Sequence, residues 1–162
     1  MGRYTRALGL IESYTQKHIP VNKLNIEHMD LCGIDLCGAY LGRSISMHVL
    51  VRGANLARSD LQGAKIRHAD LSGADLSGAD LRGADIGSTS LRGADLRGAN
   101  LGSAKIKHCT FSGADLTGAD LAGSNTKNSD FNGANLTDAN LKEADMVDCA
   151  AAGANVSGAE LG

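Results

Sequence analysis

The chain has 162 residues, a formal charge of −2 and 3% aromatic residues, with 21 Gly, one Pro and no Trp. That length fits one domain, and the near-neutral charge supplies no global field committing the protein to nucleic acid or an anionic membrane. Few aromatics and many glycines are unusual for an ordinary globule, and they point to internal repetition.

Residues 1–25 are expected to form an N-terminal helix and cap, with the helix over residues 4–17. Tyr4, Leu8 and Ile11 fall at helical spacing on one face, and Pro20 stops the pattern. So short a helix is not stable alone. The open end of a repeat stack, which needs its apolar interior covered, is the expected docking place. The N-terminus shows neither a signal-like apolar core nor a run long enough to cross a bilayer. Cys32, Cys37, Cys109 and Cys149 have no paired spacing. Together these imply a cytoplasmic, reducing location and no membrane association.

From residue 26 to 162 the chain repeats every five residues without insertion or deletion. The clearest stretch runs from His68 to Asp85, as Ala-Asp-Leu-polar-Gly units. A period of five matches neither 3.6 nor 2, so neither a continuous amphipathic helix nor a long flat strand would bury Leu71, Leu76 and Leu81 together. A chain that turns once per unit would bury them. Each Leu then points inward, the Ala two residues before it packs near the corner, and Gly takes the turn.

The units Ala54-Asn55-Leu56, Ala94-Asp95-Leu96, Ala114-Asp115-Leu116 and Ala139-Asn140-Leu141 resemble the motif of the pentapeptide-repeat family. The resemblance covers residues 26–162. It implies an all-β solenoid: a right-handed quadrilateral β-helix with four units per coil, here about seven coils, following the short capping helix. The His positions support a coil of twenty residues independently, because His28, His48, His68 and His108 then stack in one column.

Two departures suggest contacts. Around residues 41–51 the repeat phase places Ile45, Met47 and Leu50 outside and Ser46 inside, an apolar cluster expected either beneath the N-terminal segment or against a partner. Thr126 and Ala151 are weak core residues, expected to loosen the last coils. The final coil has nothing after Leu161 to cover it, so a homodimer through the C-terminal coil is expected.

One basic face and two acidic columns are candidates for function. Lys65, Arg67, His68, Lys105, Lys107 and His108 make one face basic, with Lys127 continuing it. Asp75, Asp95 and Asp115 form an acidic column on the next face, and Asp60, Asp80 and Asp120 another. Carboxylates repeating at coil spacing could imitate the phosphates of a duplex, or simply be short side chains that bond nearby backbone. A zinc site in the His column would need three or four convergent ligands, and the neighbours Met47 and Arg67 do not supply them. Direct nucleic-acid binding would call for exposed aromatics or a larger charge excess.

No catalytic constellation, nucleotide loop or cofactor motif is present, and an unbroken repeat leaves no inserted loops to build a cleft. The chain therefore reads as a rigid, non-enzymatic protein–protein interaction scaffold without cofactor or metal, whose partner the sequence does not identify. The alternative comes from similarity to the quinolone-resistance branch of the family. That branch implies a DNA-mimicking regulator or inhibitor of DNA gyrase or a related type II topoisomerase. The acidic stretch 109–162, with two basic and eight acidic side chains, fits it.

Overall fold

A computed structural model describes residues 27–44 and 48–162. The expected helix and cap, together with Ile45, Ser46 and Met47, lie outside the described residues.

The described chain is a β-helix solenoid whose coils stack with a period of twenty residues. Parallel bridges join Asp35 to Asn55, Asn55 to Asp75, Asp75 to Asp95 and Asp95 to Asp115, and the same step recurs on the other sides. Strand content is smaller than the description "all-β" suggests. Among the described residues only β1 (Asn140–Leu141) and β2 (Glu160–Leu161) are longer than a single bridge, and they pair in parallel. The reason is the unit length. Most of each five-residue unit is spent on the turn, leaving one backbone position to bridge to each neighbouring coil. Two backbone bonds flank that position: Asp75 N–H donates to the Ala54 carbonyl (2.9 Å) and Leu76 N–H to the Asp95 carbonyl (2.7 Å).

Each unit closes with a tight turn. The Ala74 N–H donates to the Leu71 carbonyl at 3.0 Å, and Gly73, the third turn residue, has φ +66°. A left-handed third residue is the requirement of a type II turn. Every fifth residue from 28 to 158 meets it, with φ between 55° and 70°. The corner after Ile66, Ile86, Ile106 and Thr126 meets it without glycine, using His68, Ser88, His108 and Asn128.

That corner also handles its polar atoms differently. Thr89 Oγ1 donates to the Ile66 carbonyl of the preceding coil (2.5 Å) and accepts from the Ala69 N–H (3.3 Å). Ser129 repeats both bonds with Ile106 (2.7 Å) and the Cys109 N–H (3.1 Å). The Cys109 and Cys149 thiols reach the Ile86 and Thr126 carbonyls at 2.8 and 3.0 Å. Buried turn carbonyls are thus satisfied by a ladder of hydroxyls and thiols.

The core is a column of aliphatic side chains, from Leu31 to Leu141, edged by small residues such as Ala54, Ala79 and Ala104. Phe111 and Phe131 stack within it. Thr126 is fully buried, and its hydroxyl donates to the Asp145 carbonyl at 2.9 Å. A cavity of about 20 Å³ lies among Leu36, Val49, Val51 and Leu56, where Val51 stands between Leu31 and Leu71 of the adjoining coils. At the C-terminal end the inward-facing residues are uncovered: Ala151 is exposed, and Val156 and Leu161 are 50% and 68% exposed.

Candidate functional site

The repeat places short acidic or amide side chains at the bridging position, and the geometry there shows what they do. The Oδ1 atoms of Asp75, Asp95 and Asp115 accept from the backbone N–H two residues on, at 2.9, 3.1 and 3.0 Å. Asp60, Asp80 and Asp120 do the same at 3.0, 3.1 and 3.0 Å. Asn55 and Asn100 make the equivalent bond, which explains why Asn and Asp interchange. These are Asx turns, which fix the residue entering each corner.

Several of these carboxylates are engaged a second time. Arg82 chelates Asp80, and Arg97 chelates Asp95, with closest approaches of 2.5 Å. The guanidinium hydrogen bonds hold both carboxyls below the usual carboxylate range, against a smaller opposing effect of burial. Asp115 accepts from Thr117 Oγ1 (2.5 Å) and from Asn135 Nδ2 (3.3 Å). From there a chain of side-chain bonds climbs the face, through Thr137 and Asn155 to Ser157. Asp80, Asp95 and Asp115 are thus engaged by neighbouring side chains as well as by backbone, whereas among the described residues Asp60 and Asp75 make the backbone bond alone.

The basic face is arranged otherwise. Lys65, Asp85 and Lys105 occupy successive bridging positions in one column. Beside it run Arg67, Gly87, Lys107 and Lys127, and then the corner column of His68, Ser88, His108 and Asn128. Lys127 Nζ pairs with Asp145 at 2.9 Å. Arg67 Nε lies 3.5 Å from Asp85 Oδ1, longer than the ~2.7–2.9 Å of a charge-assisted bond. Lys65, Arg67, His68, Lys105, Lys107 and His108 are all exposed.

Gly87 and Ser88 interrupt both columns for one coil and open a notch of about 270 Å³, lined by Arg67, Asp85, Gly87, Ser88, Lys105, Lys107 and His108. Sequence reasoning named the basic side chains but missed Gly87 and Ser88 as the feature that gathers them. The signal was the absence of a long side chain between Arg67 and Lys107.

In the His column the described rings stack rather than converge. His28 stacks on His48 and His48 on His68, with ring centroids 5.1 and 5.0 Å apart and planes within 8° of parallel. Parallel rings aim their nitrogens side by side, whereas zinc needs them converging at ~2.0–2.1 Å. Among the described residues no group of three or more His, Cys, Asp or Glu could hold an ion. Of the expected apolar patch only Leu50 is described. It is 38% exposed and bridges Asp30 and Asp70. Among the described residues, no helix is long and apolar enough to cross a membrane.

Comparison with known proteins agrees with this geometry. A family model described as pentapeptide repeats (8 copies) matches residues 48–78, 74–113, 114–150 and 129–162. A pentapeptide repeat protein from the thylakoid lumen of Arabidopsis thaliana superposes with a TM-score of 0.57 at 41% identity. The match covers 58% of this chain and 66% of that one, just under two thirds of its length. A plasmid-mediated fluoroquinolone resistance protein superposes with the same TM-score of 0.57 at 22% identity, over 87% of this chain and 83% of its own, a likeness of fold. Among curated proteins none matches. A family model spanning residues 48–162, together with the twenty-residue coil on the page, places this chain in the pentapeptide-repeat family.

Proposed function

We propose that the protein is a non-enzymatic, rigid interaction scaffold that presents its basic face to an acidic surface of a partner protein. The observation that carries the reading is the contrast between faces. Asp80, Asp95 and Asp115 are bonded by neighbouring side chains, whereas Lys65, Lys105 and Lys107 project from one face with only Asp85 between them. Complementary charge steers association and sets register more than it sets raw affinity. A backbone laced by bonds between coils gives that face a fixed geometry, so little ordering is required on binding. Self-association through the open C-terminal coil, where Val156 and Leu161 are exposed, belongs to the same reading.

A supercoiling titration tests this against the DNA-mimicking alternative. Purified protein in large excess over DNA gyrase leaves supercoiling unchanged if the acidic columns serve the fold. Inhibition at stoichiometric concentration would overturn the scaffold reading. Sedimentation of the same sample reads the oligomeric state, and Leu161→Asp shifts any dimer toward monomer.

A further inference from the structure

We propose that the notch at Gly87 and Ser88 is a binding site for a phosphate monoester dianion. The inference deepens the scaffold reading, on which it rests only for the use of this face.

The site is made by an omission. Along one column the order is Arg67, Gly87, Lys107, and along the next His68, Ser88, His108. The flanking residues are two coils apart, roughly 9–10 Å at strand spacing, so the two small residues leave a slot walled by long polar side chains. Its volume of about 270 Å³ is enough for a phosphoryl group that keeps some hydration. Gly87 is buried at the floor. A Cβ there would lie 3.5 Å from each of Arg67 Nε, Asp85 Oδ1 and the Lys107 carbonyl, so any larger side chain would occupy the slot.

The charge selects the ligand. Arg67, Lys105 and Lys107 supply three cations, and Asp85 removes one, leaving two positive charges on the lining. A phosphate monoester carries about −1.5 to −2 at pH 7 and three acceptor oxygens, whereas a carboxylate would leave one charge unanswered. Arg67 is held loosely by Asp85 and can turn its fork to a phosphoryl oxygen. The two lysines act as point charges. His108 offers a ring N–H and Ser88 a hydroxyl, both donors to the same group. The slot opens outward on a flat face, so whatever carries the phosphate stays outside it.

The test is an amide-resolved NMR titration of the full chain with O-phosphoserine and with AMP, each at constant ionic strength. The expected result is saturable shifts centred on Gly87, Ser88 and residues 105–108. Saturation by phosphoserine identifies a phosphorylated side chain as the source, and saturation by AMP alone identifies a nucleotide; either supports the site. Lys105→Gln with Lys107→Gln weakens binding at least tenfold. Gly87→Gln does the same without changing charge, and its spectrum elsewhere shows that the coil is intact. Shifts that do not saturate, that sodium chloride reproduces, or that survive Gly87→Gln would overturn the site. That failure leaves the scaffold reading standing if charge reversal on this face still abolishes partner binding.

Discussion

Phe111 and Phe131 are twenty residues apart and stack face to face inside the solenoid, with centroids 4.8 Å apart and planes within 1°. Their backbones belong to neighbouring coils: the Phe111 N–H donates to the Asp130 carbonyl at 2.6 Å. If each coil takes twenty residues, these rings act on one another and not merely on the common core. Substituting each with Leu, singly and together, checks this by chemical denaturation. The expected result is a coupling of about 0.5–1.5 kcal/mol beyond the sum of the single effects.

Ser124 and Ser129 are five residues apart and both buried, yet replacing them with Ala should have opposite effects. Ser124 Oγ has no hydrogen-bond partner and sits where Ala104 and Ala144 occupy the adjoining coils. Ser124→Ala removes a buried unsatisfied hydroxyl and is expected to raise stability by about 1 kcal/mol. Ser129→Ala strands the Ile106 carbonyl and the Cys109 N–H, at a cost of about 1–3 kcal/mol. Denaturant midpoints of the two variants, one on each side of the parent, are the check.

The repeat made much of this readable. The five-residue period specified the core residues, and the spacing of the histidines specified which residues stack; both depend on composition at fixed intervals. The polar ladder was not readable. Thr89, Cys109, Ser129 and Cys149 look like imperfect substitutes for the corner Ala, and only the coil-to-coil distance reveals that they satisfy turn carbonyls. The notch escaped for a related reason, since a Gly in a Gly-rich repeat is noticed only against its neighbours one coil away. The Asp columns left two readings open. Their spacing was compatible with displayed charge or with short side chains bonding nearby backbone; the distances show the backbone bond throughout, with arginine pairs at Asp80 and Asp95.

Buried Cys109 and exposed Cys32 and Cys37 should differ in reactivity. Burial pushes the Cys109 thiol up to about 12, and it is engaged with the Ile86 carbonyl. Its thiolate fraction at pH 8 is then on the order of 10⁻⁴. Cys32 and Cys37 are exposed. Labelling with a maleimide followed by peptide mass mapping is expected to modify these two rapidly. Cys109 should react only after denaturation.

Acid should weaken the fold through the arginine pairs. Asp80 and Asp95 have carboxyls lowered chiefly by hydrogen bonds from Arg82 and Arg97. A carboxyl with a lower pKa folded than unfolded contributes stability above the unfolded pKa and loses it as pH falls through the folded value. Thermal midpoints should therefore be insensitive to these groups above about pH 5 and fall below about pH 4. In Asp80→Asn with Asp95→Asn, which keeps both Asx turns, the acid limb becomes shallower. Both arginines are exposed, so solvent screening keeps the contribution of each pair small.

The most direct test of the basic face is a comparison of two charge variants in partner capture from nuclease-treated extract. One carries Lys65→Glu, Lys105→Glu and Lys107→Glu, and the other carries Asp75→Asn, Asp95→Asn and Asp120→Asn. With both shown to be folded by circular dichroism and thermal melting, the first is expected to lose the proteins bound by the parent chain, and the second to keep them. Retention by the first and loss by the second would contradict the account and return attention to the acidic columns.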